Sequence, residues 1–99
     1  MDPNVAFGWD KVNIPSEGIA YTGQCKLHSI IFNGMTVVGT MAIYDGTDAT
    51  GTLIGTMVLN SAVQVSCQPF TAIYDCDMAT GIFLAFNGGL VADFTVTYK

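Results

Sequence analysis

Hydrophobic and polar residues alternate most cleanly at the end of the chain. In LVADFTVTYK, Leu90, Ala92, Phe94, Val96 and Tyr98 fall on one side and Val91, Asp93, Thr95, Thr97 and Lys99 on the other. A period of two marks a strand with one face in a core. TLIGTMVL, residues 52–59, follows the rule more loosely. Leu53, Met57 and Leu59 are expected to face one way and Thr52 and Thr56 the other, with Gly55 marking a bulge or a close backbone approach. Asn33-Gly34 and Asn87-Gly88 each stand between apolar runs. Asn-Gly is a strong hairpin signal because both residues tolerate positive φ, so hairpins are expected to join 25–32 to 36–44 and 82–86 to 90–98. Further strands are expected near 62–67 and 70–75. Seven or eight short strands at regular spacing predict an all-β fold, an antiparallel β-sandwich or jelly-roll-like domain.

The first residues break this pattern. MDPNVAFGWDKVNIPSEG holds Phe7, the only Trp (Trp9) and two of the three prolines, without alternation. Residues 1–22 are therefore expected to form an extended N-terminal arm ahead of a β-sandwich domain at 23–99. Such an arm either lies on a neighbouring subunit, with Phe7 and Trp9 as interface anchors, or packs on its own domain as an edge strand.

Composition adds a tendency to associate. Ninety-nine residues make one domain that hides roughly 65% of its unfolded surface. Charged residues are 11% of the chain and hydrophobic ones 51%, against a usual charged share of about 25%. Part of the surface must then be Thr, Ser, Asn or exposed apolar side chain, and exposed apolar patches favour a partner. The net charge is −5 with three Lys and no Arg. Scattered Lys11, Lys26 and Lys99 cannot displace counterions from a phosphate backbone, so no nucleic-acid partner is expected. No apolar run approaches the ~18 to 20 residues of a membrane span, and the first residues lack the basic and apolar regions of a signal peptide. A protein that stays in the cytosol where it is made, with no membrane partner, is the expectation. Cys25, Cys67 and Cys76 are odd in number and form no CxxC pair, which predicts free and mostly buried thiols.

One phrase is written twice. IYDGTDATG (43–51) and IYDCDMATG (73–81) agree at six of nine positions. In both, Ile-Tyr-Asp is expected to end a strand and Ala-Thr-Gly to open the next, which makes each copy a connection between neighbouring strands. Turn chemistry accounts for the acidic residues, because an Asp side chain accepts hydrogen bonds from backbone N–H groups two residues on. Two alternatives stay open at this point: a calcium site using Asp45 and Asp48 or Asp75 and Asp77, with carbonyls and water completing the shell, and a duplicated hairpin. Catalysis finds no foothold. His28 is the only histidine and lies three residues from Cys25 on a strand, so the two should point to opposite faces. No nucleophile elbow, phosphate loop or zinc-protease pattern is present. No enzyme activity, catalytic residue or cofactor is expected.

The run GTMAIYDGTDATGTLIGTM, followed about thirty residues later by GIFLAFNGGLVADFTVTYK, resembles a group of small tailed-phage virion proteins. Those chains share a strand ending in YDGT, a following TGTLI strand, and a closing Gly-Leu segment that ends in TVTY. The resemblance covers residues 23–99. It implies a β-sandwich or jelly-roll decoration or cement protein of the phage head, often a trimer, assembled in the host cytoplasm onto a major capsid protein or another virion protein. Such domains also occur in tails, baseplates and fibres. A carbohydrate-binding β-sandwich on the virion surface is a third possibility.

Overall fold

The structure is a computed structural model and describes residues 9–60 and 70–99. Among these residues it has eight strands: β1 (Asp10–Ile14), β2 (Gly18–Thr22), β3 (Cys25–Val37), β4 (Gly39–Asp45), β5 (Thr52–Leu59), β6 (Phe70–Met78), β7 (Gly81–Asn87) and β8 (Val91–Tyr98). They form two antiparallel four-stranded sheets, ordered β1-β8-β3-β6 and β2-β7-β4-β5. We call these sheet A and sheet B. The pairs β1·β8, β2·β7, β3·β6 and β4·β5 mean that the chain doubles back at the β4–β5 hairpin and the resulting ribbon rolls up. This is the jelly-roll arrangement of a β-sandwich. The strand expected near 62–67, together with Cys67 and Phe7, lies outside the described residues.

The core lies between the sheets. Phe32, Phe94, Leu27, Ile30 and Val96 from sheet A meet Met41, Ile43, Ile82, Leu84 and Leu59 from sheet B, all almost fully buried. Each such side chain contributes about 1.5–3 kcal/mol relative to an exposed position. In β8 the expected alternation holds, with Leu90 beside it and Ala92, Phe94 and Val96 buried. Phe94 anchors an aromatic group, 5.7 Å from Phe32 and 5.6 Å from Phe86 between ring centroids.

Strand β3 departs from the sequence reading. Asn33-Gly34 makes no hairpin; it lies inside a 13-residue strand. Buried apolar positions in β3 run Leu27, Ile30, Phe32, Met35, with steps of three where the register against β8 shifts, between Leu27 and Ser29 and between Phe32 and Gly34. The first two of three bulges against β8, the third lying between Met35 and Val37, thus absorb an extra residue each and return apolar side chains to the core. Asn33 is held in the strand by its own side chain, whose Nδ2 donates to Asp93 Oδ2 at 3.1 Å and Thr95 Oγ1 at 3.0 Å. The chain changes sheet a few residues later, at Val38. There a Cβ on Gly39 would lie 2.5 Å from the Asn87 carbonyl oxygen and 2.6 Å from Leu90 Cβ. Only glycine fits that crossing.

Asn87-Gly88 does make a turn, with Gly88 and Gly89 at φ 71° and 80°. It leads from β7 in sheet B to β8 in sheet A, so it is an arch between sheets and not the expected hairpin. The stretch expected as an arm is, from Asp10 to Thr22, two edge strands of the sandwich: β1 pairs with β8, and β2 with β7. It evaded the period-two pattern because each strand has only five residues and β2 is bulged between Ile19 and Tyr21.

In β5 the register slips between Ile43 and Tyr44 of its partner, leaving Ile54 as the extra residue. Gly55 is both bulge and close approach, as expected: its Cβ would sit 3.1 Å from the Tyr74 ring. The slip turns Ile54 inward and Leu53 outward, 56% exposed, which corrects the inward placement expected for Leu53.

Candidate functional site

The two copies of the repeated phrase meet at one end of the sandwich and play different parts. The first forms the β4–β5 hairpin loop. Asp48 accepts from the Thr50 backbone N–H at 2.8 Å and from the Thr50 hydroxyl, the turn bonding expected for an Asp in this place. These donors, the hydroxyl foremost, hold the Asp48 carboxyl below its ordinary pKa. Asp45 works over a longer range. Its carboxylate accepts from the backbone N–H groups of Ala79 and Thr80, each at 2.9 Å, and from Gly81 at 3.4 Å. The first copy therefore clamps the turn of the second. The same donors, Ala79 first, lower the Asp45 pKa. Gly46 N–H donates to the Gly81 carbonyl at 3.2 Å and Gly23 N–H to Thr80 at 2.7 Å, tying a third loop into the clamp.

The second copy does not begin as a connection. Ile73-Tyr74-Asp75 lies within β6, which continues to Met78, and β7 belongs to the other sheet. Asp75 sits at φ 47° in a bulge where the register against β3 jumps from Ser29↔Ile73 to Leu27↔Cys76. Asp and Asn tolerate the left-handed region better than other side chains. Here the Asp75 carboxylate is engaged as well, 2.5 Å from His28 Nδ1. The expectation that this phrase ends a strand thus fails for the second copy, because the bulge lets β6 run on past Asp75.

Four aspartates singled out by the sequence are therefore spread over two surfaces. Asp45 and Asp48 line a shallow hollow of about 370 Å³ with Thr47, Thr50 and Thr80, in which both Asp45 oxygens and Asp48 Oδ1 accept from N–H and O–H donors. Asp75 and Asp77 lie on the outer face of sheet A, where Asp77 stands in register with Lys26. Among the described residues no group of three or more His, Cys, Asp or Glu side chains converges as a metal site would require.

Trp9 is built into that same outer face. Its ring stacks on His28 at 4.1 Å with the planes 1° apart, and Lys99 Nζ lies 5.4 Å from its centroid. Trp9 remains 38% exposed. The series Lys99, Trp9, His28, Asp75 was not visible in the sequence, because a bulge in each of two strands brings its members together. Cys25 packs against the core and His28 faces outward, on opposite sides of β3 as expected. Cys25 and Cys76 are free and half-buried, and burial raises both thiol pKa values.

The outer faces of the two sheets differ in charge. The outward positions of sheet A carry Lys11, Lys26, Asp75, Asp77 and Asp93, and Asn13 Nδ2 donates to Asp93 Oδ1 at 2.7 Å. Within the strands of sheet B the one charged residue is Asp45, at the end of β4 in the clamp. The registers align Ile19, Phe83, Tyr44 and Leu53 in one row across all four strands of sheet B. No protein-family model, no curated protein and no solved structure matches this chain.

Proposed function

We propose that this chain is a non-enzymatic structural subunit of a tailed-phage virion, a capsid decoration or cement protein that bridges capsomers of the major capsid protein. The observation that carries this reading is the outer face of sheet B. On a chain of net charge −5, four adjacent strands present an uncharged surface with Ile19, Leu53 and Val58 between 46% and 65% exposed. Such a face is suited to burial against another subunit. The jelly-roll sandwich and the sequence resemblance agree with that role.

The mechanism is linkage. A subunit that binds the assembled lattice and not its free components stabilises the lattice by RT ln(1 + [L]/Kd), about 2.7 kcal/mol per site at a hundredfold excess over Kd. The acidic surface suits the outside of a capsid better than a DNA-facing wall. Partial disassembly of purified virions, with this chain quantified in head and tail fractions, tests the proposal. Hundreds of copies in the head fraction are expected. A small multiple of three or six in the tail fraction would move the protein to a baseplate or fibre, and absence from virions would overturn the reading.

A further inference from the structure

We infer that Cys25, Cys76 and Met78 form a binding site for one soft monovalent metal ion, copper(I), at the end of the sandwich where β3 begins and β6 ends. The register there is unbroken and sets Cys25 opposite Met78 and Leu27 opposite Cys76. Opposite residues of an antiparallel pair point to the same side, as do residues two apart on one strand. All four therefore share one patch. It faces inward, because Leu27 and Met78 are fully buried and both cysteines pack against the core. Three of the four carry sulfur, and Cys76 Sγ lies 3.9 Å from Met78 Sδ.

That spacing is the one a shared ion needs. Metal–sulfur bonds are about 2.3 Å long, so two sulfurs of a trigonal set stand about 4 Å apart. Cys25 completes the triangle from the neighbouring strand, since directly opposite Cβ atoms are about 4.5–5.5 Å apart. Cys25 and Cys76 are diagonal neighbours, for which the separation is about 7–8 Å between backbones. A disulfide wants Cα atoms about 5.5–6 Å apart. The diagonal thus favours an ion held between the sulfurs over a bond joining them, and both thiols are free.

The ligand set selects the ion. Thiolate with thioether suits copper(I), whereas structural zinc takes four ligands from Cys, His and carboxylate, and calcium takes oxygen. His28 is engaged on the other face of the sheet by Trp9 and Asp75 and cannot supply a fourth. Counted without methionine, the described residues offer no three-ligand group; the thioether makes this one. The surroundings suit a cation. Burial raises both thiol pKa values first, and negative neighbours add to it: Asp45 and then Cys76 for Cys25, and Asp45, Asp77 and Asp75 for Cys76, with Lys26 opposing. A field that resists two bare thiolates accepts them around a positive ion. On binding, copper(I) displaces one proton from each thiol, two S–H bonds give way to two Cu–S bonds, the Met78 sulfur donates a lone pair, and no electron is transferred.

The site is independent of any virion role, and its test needs only the purified, fully reduced chain. Copper(I) alone is titrated without oxygen against a chromophoric copper(I) chelator, on the parent and on Cys67→Ser, because Cys67 lies outside the described residues. Both should hold one equivalent. Cys25→Ser and Cys76→Ser each remove a ligand and should weaken binding at least about a hundredfold, the upper end of what a supporting contact costs. Met78→Leu keeps the core volume and should weaken it about tenfold. X-ray absorption should count three sulfurs at about 2.3 Å in the parent and two in Met78→Leu. No copper held against the chelator, loss with Cys67→Ser, full retention by either serine variant at Cys25 or Cys76, or an unchanged sulfur count in Met78→Leu would each overturn the inference. Thermal melts of the metal-free variants check folding. If a serine variant does not fold, Met78→Leu still decides.

Discussion

Ile43 and Ile73 hold the same place in the same phrase, yet Ile43 is fully buried and Ile73 is 64% exposed. Their neighbours are reversed too. Tyr44 lies in the outer row of sheet B, while Tyr74 turns inward and packs over Gly55. The two copies sit in strands of opposite phase, and because side chains alternate with period two, a one-residue offset moves every residue of a strand to the other face. Identical words thus acquire different meanings from the strands beside them. A duplicated hairpin would have kept phase, pairing and turn together; here the first copy pairs within sheet B and the second crosses between sheets.

The largest expected contrast is between the isoleucines. Ile43→Ala should cost about 2–5 kcal/mol, the range for emptying a packed core site. Ile73→Ala should fall within about 0.5 kcal/mol of the parent. Urea denaturation of both variants measures the difference, and equal losses would refute the opposite phases.

The aspartates come next. Asp45→Ala removes the acceptor for three backbone N–H groups and should cost about 1–2 kcal/mol, low for a charged acceptor because water still reaches the carboxylate. The sign of its pH dependence follows from the bonding. Folding holds the Asp45 pKa below its unfolded value, so the stabilisation is complete above the unfolded pKa and is lost as pH falls through the folded one. Denaturation curves from neutral pH into acid should show the gap between parent and Asp45→Ala closing. A gap that is constant or widens would mean that the clamp is not ionic.

The smallest effect concerns His28, which braces Asp75 on one side and Trp9 on the other. His28→Ala should shift the emission of the only tryptophan to longer wavelength as its covered ring face meets water, with little change in melting temperature. Unchanged emission would show that the stack does not hold Trp9 in solution. Asp75→Asn keeps an acceptor for His28 and should leave the emission closer to that of the parent.

Much of the fold was legible. The β8 alternation, the Gly55 bulge, the Asn87-Gly88 turn and the opposed Cys25 and His28 all follow from local pattern, because each is decided within a few residues of chain. Asn33-Gly34 misled because turn propensity competes with the pull of a long strand. Side-chain bonds from Asn33 to Asp93 and Thr95, sixty and more residues away, favour the strand. The Asp45 clamp spans 34 to 36 residues and gives no local sign. Only the matching phrase drew attention to the two loops, and it suggested likeness where the structure has contact.

By itself the sequence determined that this is an all-β, acidic, charge-poor chain whose apolar residues demand two packed layers. Those properties depend on composition and on the two-residue period of a strand, both readable along the chain. Tertiary structure decided which strands neighbour which, where bulges reset the phase, and that nearly all the strand charge gathers on one sheet. Those outcomes depend on pairings between residues far apart in sequence. A bulge moves a side chain from core to solvent without changing a letter of the chain.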